Sequence, residues 1–311
     1  MSLVGRKVVV HVPATSANLG PGFDTLGMAL SYYDELIVEA VAGNDVFVDV
    51  TGEGAGEVPT GADNLVVKSI DYTFKHFGQK MPGLHLTATN RIPHGRGMGS
   101  SGAAVVSGIM AAKGLLEGIV EMTSDDLLTI ATELEGHPDN VAPALFGGLT
   151  IAWEDATGPR HKKLFVHRGV SPLVLVPSFQ MSTKLARSLQ PDSVPHDDAV
   201  FNVSRSALLI AALTASPELL LDATEDRLHQ DYRASAMPKT AELIATLRGQ
   251  GHAAVVSGAG PSVLVLASDP AERLQVAKFV TESYPEWKTL LLAVDFKGAT
   301  VGMHHKEDVI S

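Results

Sequence analysis

A chain of 311 residues is long enough for about two domains, and an apolar fraction of 45% supplies a core for both. Lysine and arginine number 24 against 35 acidic residues, a net charge of −11, which argues against nucleic acid or an anionic membrane as a partner. Cysteine is absent, which excludes disulfides, thiolate metal sites and a cysteine nucleophile and fits a cytoplasmic protein; no run of about 18 apolar residues offers a membrane span.

In chain order, Lys7–Val12 reads as a strand broken by Pro13, and the Gly-, Pro-, Ser- and Asn-rich segment Ala14–Gly27 as an ordered loop. Asn18 and Asp24 are its polar groups: ligand contacts on one reading, an Asx turn and a helix cap on the other. Glu35–Val41 and Asp45–Val50 read as a hairpin, and Asn64–Lys75 as an amphipathic helix.

Gly83–Thr89 alternates as a half-exposed strand does, and Ala103–Glu117 has the small, apolar content of a buried helix. Between them, Gly95, Gly97, Gly99 and Gly102 allow positive φ and close approach to backbone amides, while Ser100 and Ser101 stand where N-cap side chains belong. A glycine-rich turn into a helix N-terminus is an anion site, suited to a polyphosphate. Gly97–Gly102 also matches the dinucleotide pattern G-x-G-x-x-G, with Glu117 at the spacing of its ribose acid. In a dinucleotide fold that acid ends the next strand, and no strand separates Gly102 from Glu117.

Thr123–Glu135 is a helix capped by Ser124 and stopped by Gly136; His137–Asn140 is a turn, so Glu133, His137, Asp139 and Asn140 form a polar cluster. Leu149–Trp153 is a strand, and Glu154–Lys163 is a link or hairpin between domains 1–160 and 161–311. The second half interleaves strands 173–176, 253–257, 263–267 and 289–296 with helices 200–213, 226–232, 240–247 and 271–283. That pattern predicts an α+β sandwich.

Three segments, Pro13–Asp24, Gly97–Ala104 and Ser257–Ser262, resemble in order and spacing the three motifs of the GHMP small-molecule kinases. Asp139–Pro143 and Ser182–Arg187 further resemble the homoserine kinase family within that group. The resemblance implies an N-terminal α+β domain with a left-handed βαβ unit and a C-terminal ferredoxin-like sandwich. It also implies transfer of phosphate from ATP, with Mg²⁺, to the side-chain hydroxyl of L-homoserine in threonine biosynthesis. A homodimer is compatible with the sequence but is not read from it.

Carried over residue by residue, the resemblance places Asn18, Asp24, His137, Asn140, Arg187 and Arg233 on homoserine, and Asn140, Thr183 and Arg187 at the reacting groups. Asn64 and Leu65 fall at the adenine pocket; Pro93, Gly95, Gly97, Gly99, Ser100, Ser101, Gly102, Gly258 and Gly260 at the phosphates; Ser101 and Glu133 on the metal. Arginine forks suit a carboxylate, and carboxylate or amide oxygens an ammonium. The expected transfer is direct, with no dedicated base, although Asp139 stands open as one. Arg96 is expected to add positive charge beside the phosphates. A mevalonate or sugar kinase and a non-catalytic metabolite sensor of the same fold are the alternatives.

Overall fold

The computed structural model describes residues 3–303. The first half comprises β1 (Lys7–Ala17), β2 (Leu26–Val41), β3 (Val46–Gly52), α1 (Leu65–His76), β4 (Gly83–Asn90), α2 (Ser100–Leu115), α3 (Ser124–Glu135), α4 (Pro138–Phe146), β5 (Leu149–Asp155) and β6 (Gly158–Leu164). The second half comprises β7 (Ser171–Val176), α5 (Thr183–Ser188), α6 (His196–Thr214), α7 (Leu220–Ala223), α8 (Gln230–Arg233), α9 (Pro238–Gly249), β8 (Ala254–Val256), β9 (Val263–Ala267), α10 (Pro270–Ser283) and β10 (Lys288–Leu291). The chain then returns as β11 (Thr300–Met303).

The first sheet runs β11-β1-β2-β4-β3, with β5 on the free end of the long β2 and β6 on β5. β2 and β3 do not form the expected hairpin. β4 lies between them, antiparallel to β2 and parallel to β3, so β3–α1–β4 is a crossover unit. Alternation locates both strands but carries no information on a partner some forty residues away.

Nor does Pro13 end β1. Pro13 faces Tyr33 and Ala14 faces Leu30, so Ser31 and Tyr32 bulge from β2 where the ladder needs no proline N–H. The strand continues to Ala17 and leaves only Asn18–Thr25 as the loop.

The sandwich of the second half has strand order β10-β7-β9-β8, all antiparallel, with α10 connecting β9 to β10 and α9 preceding β8. This is the ferredoxin-like order expected. The division expected after residue 160 falls within β6, which pairs with β5 and extends the first sheet to Leu164.

The two halves are joined by more than a linker. β11 pairs with β1, Tyr33 Oη donates to Asp295 Oδ2 at 2.8 Å, and Asp295 Oδ1 accepts from the amides of Lys297 and Gly298. Burial is the largest influence on the Tyr33 phenol, and with the Asp295 carboxylate it pushes the pKa up to about 12. The main core lies between the first sheet and α1, α2 and α4, around Phe74, Ile70, Ile109 and Leu115. α2 is buried on nearly every side, which fixes its N-terminus rigidly.

Candidate active site

The loop between β4 and α2 is clamped from three directions. Thr15 N donates to Met98 O at 3.1 Å, Ser257 Oγ to Gly97 O at 2.7 Å, and Met181 N to Gly95 O at 2.9 Å. Gly97 has φ +71°, and a Cβ there would run into Ser257 O and Gly260; one on Gly99 (φ +72°) would run into Thr15 Oγ1. The Ser257–Ser262 turn thus packs against the phosphate loop as its glycines suggested, with Gly258 N also bonded to Ala17 O.

One local expectation changes here. Gly99, in the left-handed conformation, is the N-cap of α2, and Ser100 and Ser101 are its first helical residues with side chains free for other partners. Arg96, expected as a positive charge beside the phosphates, donates to the carbonyls of His94, Pro177 and Ser178, so its guanidinium also fastens the loop to the segment entering α5.

The first amides of α2 have no intrahelical acceptor and point out of its N-terminus. Beside them opens a cavity of about 360 Å³ lined by Val48, Val50, Pro59, Leu65, Leu86 and Ser101, apolar as a base pocket requires. Asn64 borders it but spends its amide on structure, accepting from Val66 N and donating to Pro59 O as the cap of α1. Pro93 is buried at the start of the loop.

The carboxylate beside Ser101 is Glu135, two residues beyond the expected Glu133. Ser101 Oγ donates to Glu135 Oε2 at 2.8 Å, whereas Glu133 is exposed and accepts from Tyr72 Oη at 2.8 Å. Burial raises the Glu135 pKa, and the Ser101 hydroxyl and the neighbouring His137 offset part of that rise. One hydroxyl and one desolvated carboxylate beside a helix N-terminus would fit Mg²⁺, which takes few protein oxygens and completes its shell with phosphate and water. Among the described residues no cluster of three acidic, histidine or cysteine side chains forms an all-protein cage.

A second, more open cavity of about 620 Å³ adjoins this carboxylate, lined by Asp24, Glu135, His137, Trp153, Thr183 and Arg187. Arg187 forms a fork on Asp24, Nη2 to Oδ1 at 3.1 Å and Nη1 to Oδ2 at 3.3 Å. Asn18, Leu19 and Asp24 are the non-glycine residues with positive φ among those described, a concentration of backbone strain in one loop of this site. Asn18 has a structural role, though not as an Asx turn, since its side-chain oxygen accepts from an amide six residues on. It is buried, its Oδ1 accepts from Asp24 N and its Nδ2 donates to Gly258 O, so it shapes the loop that presents Asp24.

His137–Asn140 is not a free turn. His137 is the N-cap and Pro138 the first residue of α4, a favoured place for proline. Asp139 is buried and accepts from His137 Nδ1 at 2.6 Å, an interaction that is the largest cause of the raised His137 pKa. Asn140 accepts from Thr15 Oγ1 at 3.1 Å and packs against Gly102 at the start of α2. Thr183 opens α5 on the cavity wall, one turn before Arg187.

Arg233 is buried at 2% exposure, its Nε on Ala186 O and its Nη1 on Gly258 O and His229 Nδ1, with the guanidinium 5.3 Å over the Phe23 ring. Sequence reasoning passed over Glu135, Thr15, Trp153 and His229. Only Glu135 carried a signal, as the last residue before the helix-ending Gly136.

A crossover α+β domain whose glycine-rich loop meets a ferredoxin-like domain, with an anion site between an apolar cavity and a polar one, defines a GHMP kinase. Residues 64–148 match the family described as GHMP kinases N terminal domain, and residues 207–286 that described as GHMP kinases C terminal. The chain is 71% identical to the homoserine kinase of Clavibacter michiganensis subsp. michiganensis, covering 96% of this chain and 94% of that one. It is 67% identical to that of Leifsonia xyli subsp. xyli over 97% and 94%. The solved homoserine kinase of Cytophaga hutchinsonii superposes with a TM-score of 0.86 at 27% identity, covering 95% and 97%. The chain belongs to the homoserine kinase family.

Proposed function

We propose that this protein transfers the γ-phosphoryl group of ATP to the side-chain hydroxyl of L-homoserine, giving O-phospho-L-homoserine for threonine biosynthesis. The observation that carries the reading is the Arg187–Asp24 pair in the cavity it shares with Glu135, the carboxylate bonded to Ser101 in the first turn of α2. An α-amino acid head bears a carboxylate for the arginine and an ammonium for the aspartate, so a zwitterion enters by exchanging partners within the pair. A mevalonate or sugar acceptor offers no ammonium for Asp24. Family membership at 71% and 67% identity supports the same reaction.

In this reading the apolar cavity beside Leu65 holds the base, and the α2 amides with Gly97 and Gly99 hold the triphosphate. Ser101 and Glu135 hold Mg²⁺, which supplies neutralisation of phosphate charge when bound. Arg187 and Arg233 receive the substrate carboxylate, Asp24 the ammonium, and His137, Asn140 and Thr183 orient the hydroxyl towards the phosphates. Asp139 is buried under His137 and holds that imidazole, so it is placed to orient and not to take the substrate proton. Phosphoryl transfer through a loose transition state asks mainly for alignment and charge compensation; the hydroxyl proton passes to a phosphoryl oxygen. A cytoplasmic location is part of the proposal, in keeping with the cysteine-free composition.

Phosphorus NMR of a reaction containing Mg-ATP and homoserine tests the reading. Growth of a phosphomonoester resonance coupled to the side-chain methylene, matched by ADP, is expected; ADP and inorganic phosphate alone would overturn it.

A further inference from the structure

We infer that His229 is a positioning residue for the acceptor: as a neutral imidazole protonated on Nε2, it ties the Asn18–Asp24 loop to Arg233 and holds that guanidinium in register. The inference rests on the proposed role of Arg233 in binding the substrate carboxylate.

His229 is completely buried and caps α8, four residues before Arg233. Its Nε2 lies 2.8 Å from Gly20 O, and its Nδ1 lies 3.3 Å from Arg233 Nη1. A carbonyl oxygen only accepts and a guanidinium only donates, so these two neighbours settle the tautomer: Nε2 carries the proton and Nδ1 offers its lone pair. Moving the proton to Nδ1 would remove that acceptor and set two donors face to face, and a second proton on the ring would in addition place two cations side by side.

Burial, the largest influence on His229, lowers its pKa; the Asp226 carboxylate, with Oδ2 3.6 Å from Nε2, opposes it, Arg233 acts with it, and the net direction is down. The ring also stacks on Phe23, centroids 5.0 Å apart, and Phe23 in turn lies under the Arg233 guanidinium.

The turn that delivers this imidazole is itself pinned. The fully buried Asp226 carboxylate accepts from the amides of Leu228, His229 and Gln230. Gly258 O closes the circuit by accepting from both Arg233 Nη1 and Asn18 Nδ2, while Asn18 Oδ1 holds Asp24. His229 therefore joins one substrate arginine to the loop that carries the aspartate. A space-filling ring would need neither of its two polar partners.

Two substitutions separate the two nitrogens. His229→Gln retains a donor near Nε2 and loses the Nδ1 acceptor, whereas His229→Asn retains an acceptor near Nδ1 and loses the donor to Gly20. Loss of a hydrogen bond to a charged group predicts that H229Q raises the homoserine KM by about tenfold or more, with the ATP KM within about twofold. H229N keeps the homoserine KM within about threefold.

Equal effects of the two variants on homoserine KM, or parallel shifts in the ATP KM, would mean that the ring only fills space. Arg233→Ala is measured alongside. If it leaves the homoserine KM unchanged, the role of Arg233 fails; if it raises that KM while H229Q is silent, the His229 inference alone fails. Nitrogen-15 NMR of histidine-labelled wild type, with the His229 signal assigned by its loss in H229N, provides a test that does not depend on H229Q folding. The Nε2-protonated tautomer is expected at neutral pH, and an Nδ1-protonated or charged ring would overturn the inference.

Discussion

Ser101 Oγ lies 2.8 Å from Glu135 Oε2 across the N-terminus of α2, while Glu133, two residues earlier on α3, bonds Tyr72 on the outer face of α1. Two residues along an α-helix turn a side chain through roughly 200°, so only one of these acids can face the phosphate loop. Glu135→Gln is therefore expected to lower kcat by about a hundredfold or more, and Glu133→Gln to stay within about twofold of wild type. Steady-state rates at saturating Mg-ATP decide; the reverse order would move the metal site back to Glu133.

Arg187 grips Asp24 with both arms of its fork, and the acceptor is proposed to take over both partners. Arg187→Ala is expected to raise the homoserine KM about tenfold or more, with a small change in the ATP KM. Arg187→Lys recovers charge but not the planar fork, so most of the defect should persist. Full recovery in the lysine variant would count against bidentate binding.

Replacement of Gly97 by alanine combines an unfavourable positive φ with a collision against Ser257 O. The backbone cost alone is about 1–2 kcal/mol, and the steric conflict adds to it. Gly43 has φ +89° but open space around it, so Gly43→Ala bears only the conformational cost. Denaturant unfolding should show G97A as the less stable of the two, with ATP binding weakened in G97A alone.

Tyr33 tests the junction between the first sheet and the returning chain. Its phenol is held up to about 12, above the ordinary value near 10. The folded state thus keeps a proton that the unfolded chain releases. The resulting stabilisation is complete below about pH 10 and is lost as pH rises towards the folded value. The stability gap between wild type and Tyr33→Phe should be constant around neutrality and shrink above about pH 10. Absorbance titration should show a late-ionising tyrosine component that Y33F removes.

Much of the site was legible because its parts are local. The glycines and serines of Gly95–Gly102 marked a turn into a helix N-terminus, which is where α2 begins, and strand 263–267 was bounded by turn residues on both sides. What escaped depends on distant partners or on helical azimuth. Glu35–Val50 has the look of a hairpin, but β4 inserts between its strands. His137–Asn140 has the composition of a turn, but Pro138 begins a helix that the core holds in place. Glu133 and Glu135 differ only in the direction each faces, which is set by how α3 packs beside α2. His229 is one of twelve histidines, and nothing in its local sequence marks its burial between Gly20 and Arg233.

The central claim is tested most directly by ADP release in a coupled assay with Mg-ATP and a panel of acceptors: homoserine, serine, threonine, mevalonate and galactose. Turnover with homoserine far above every other acceptor is the predicted result. Turnover at background with homoserine, or a preference for mevalonate or galactose, would contradict it.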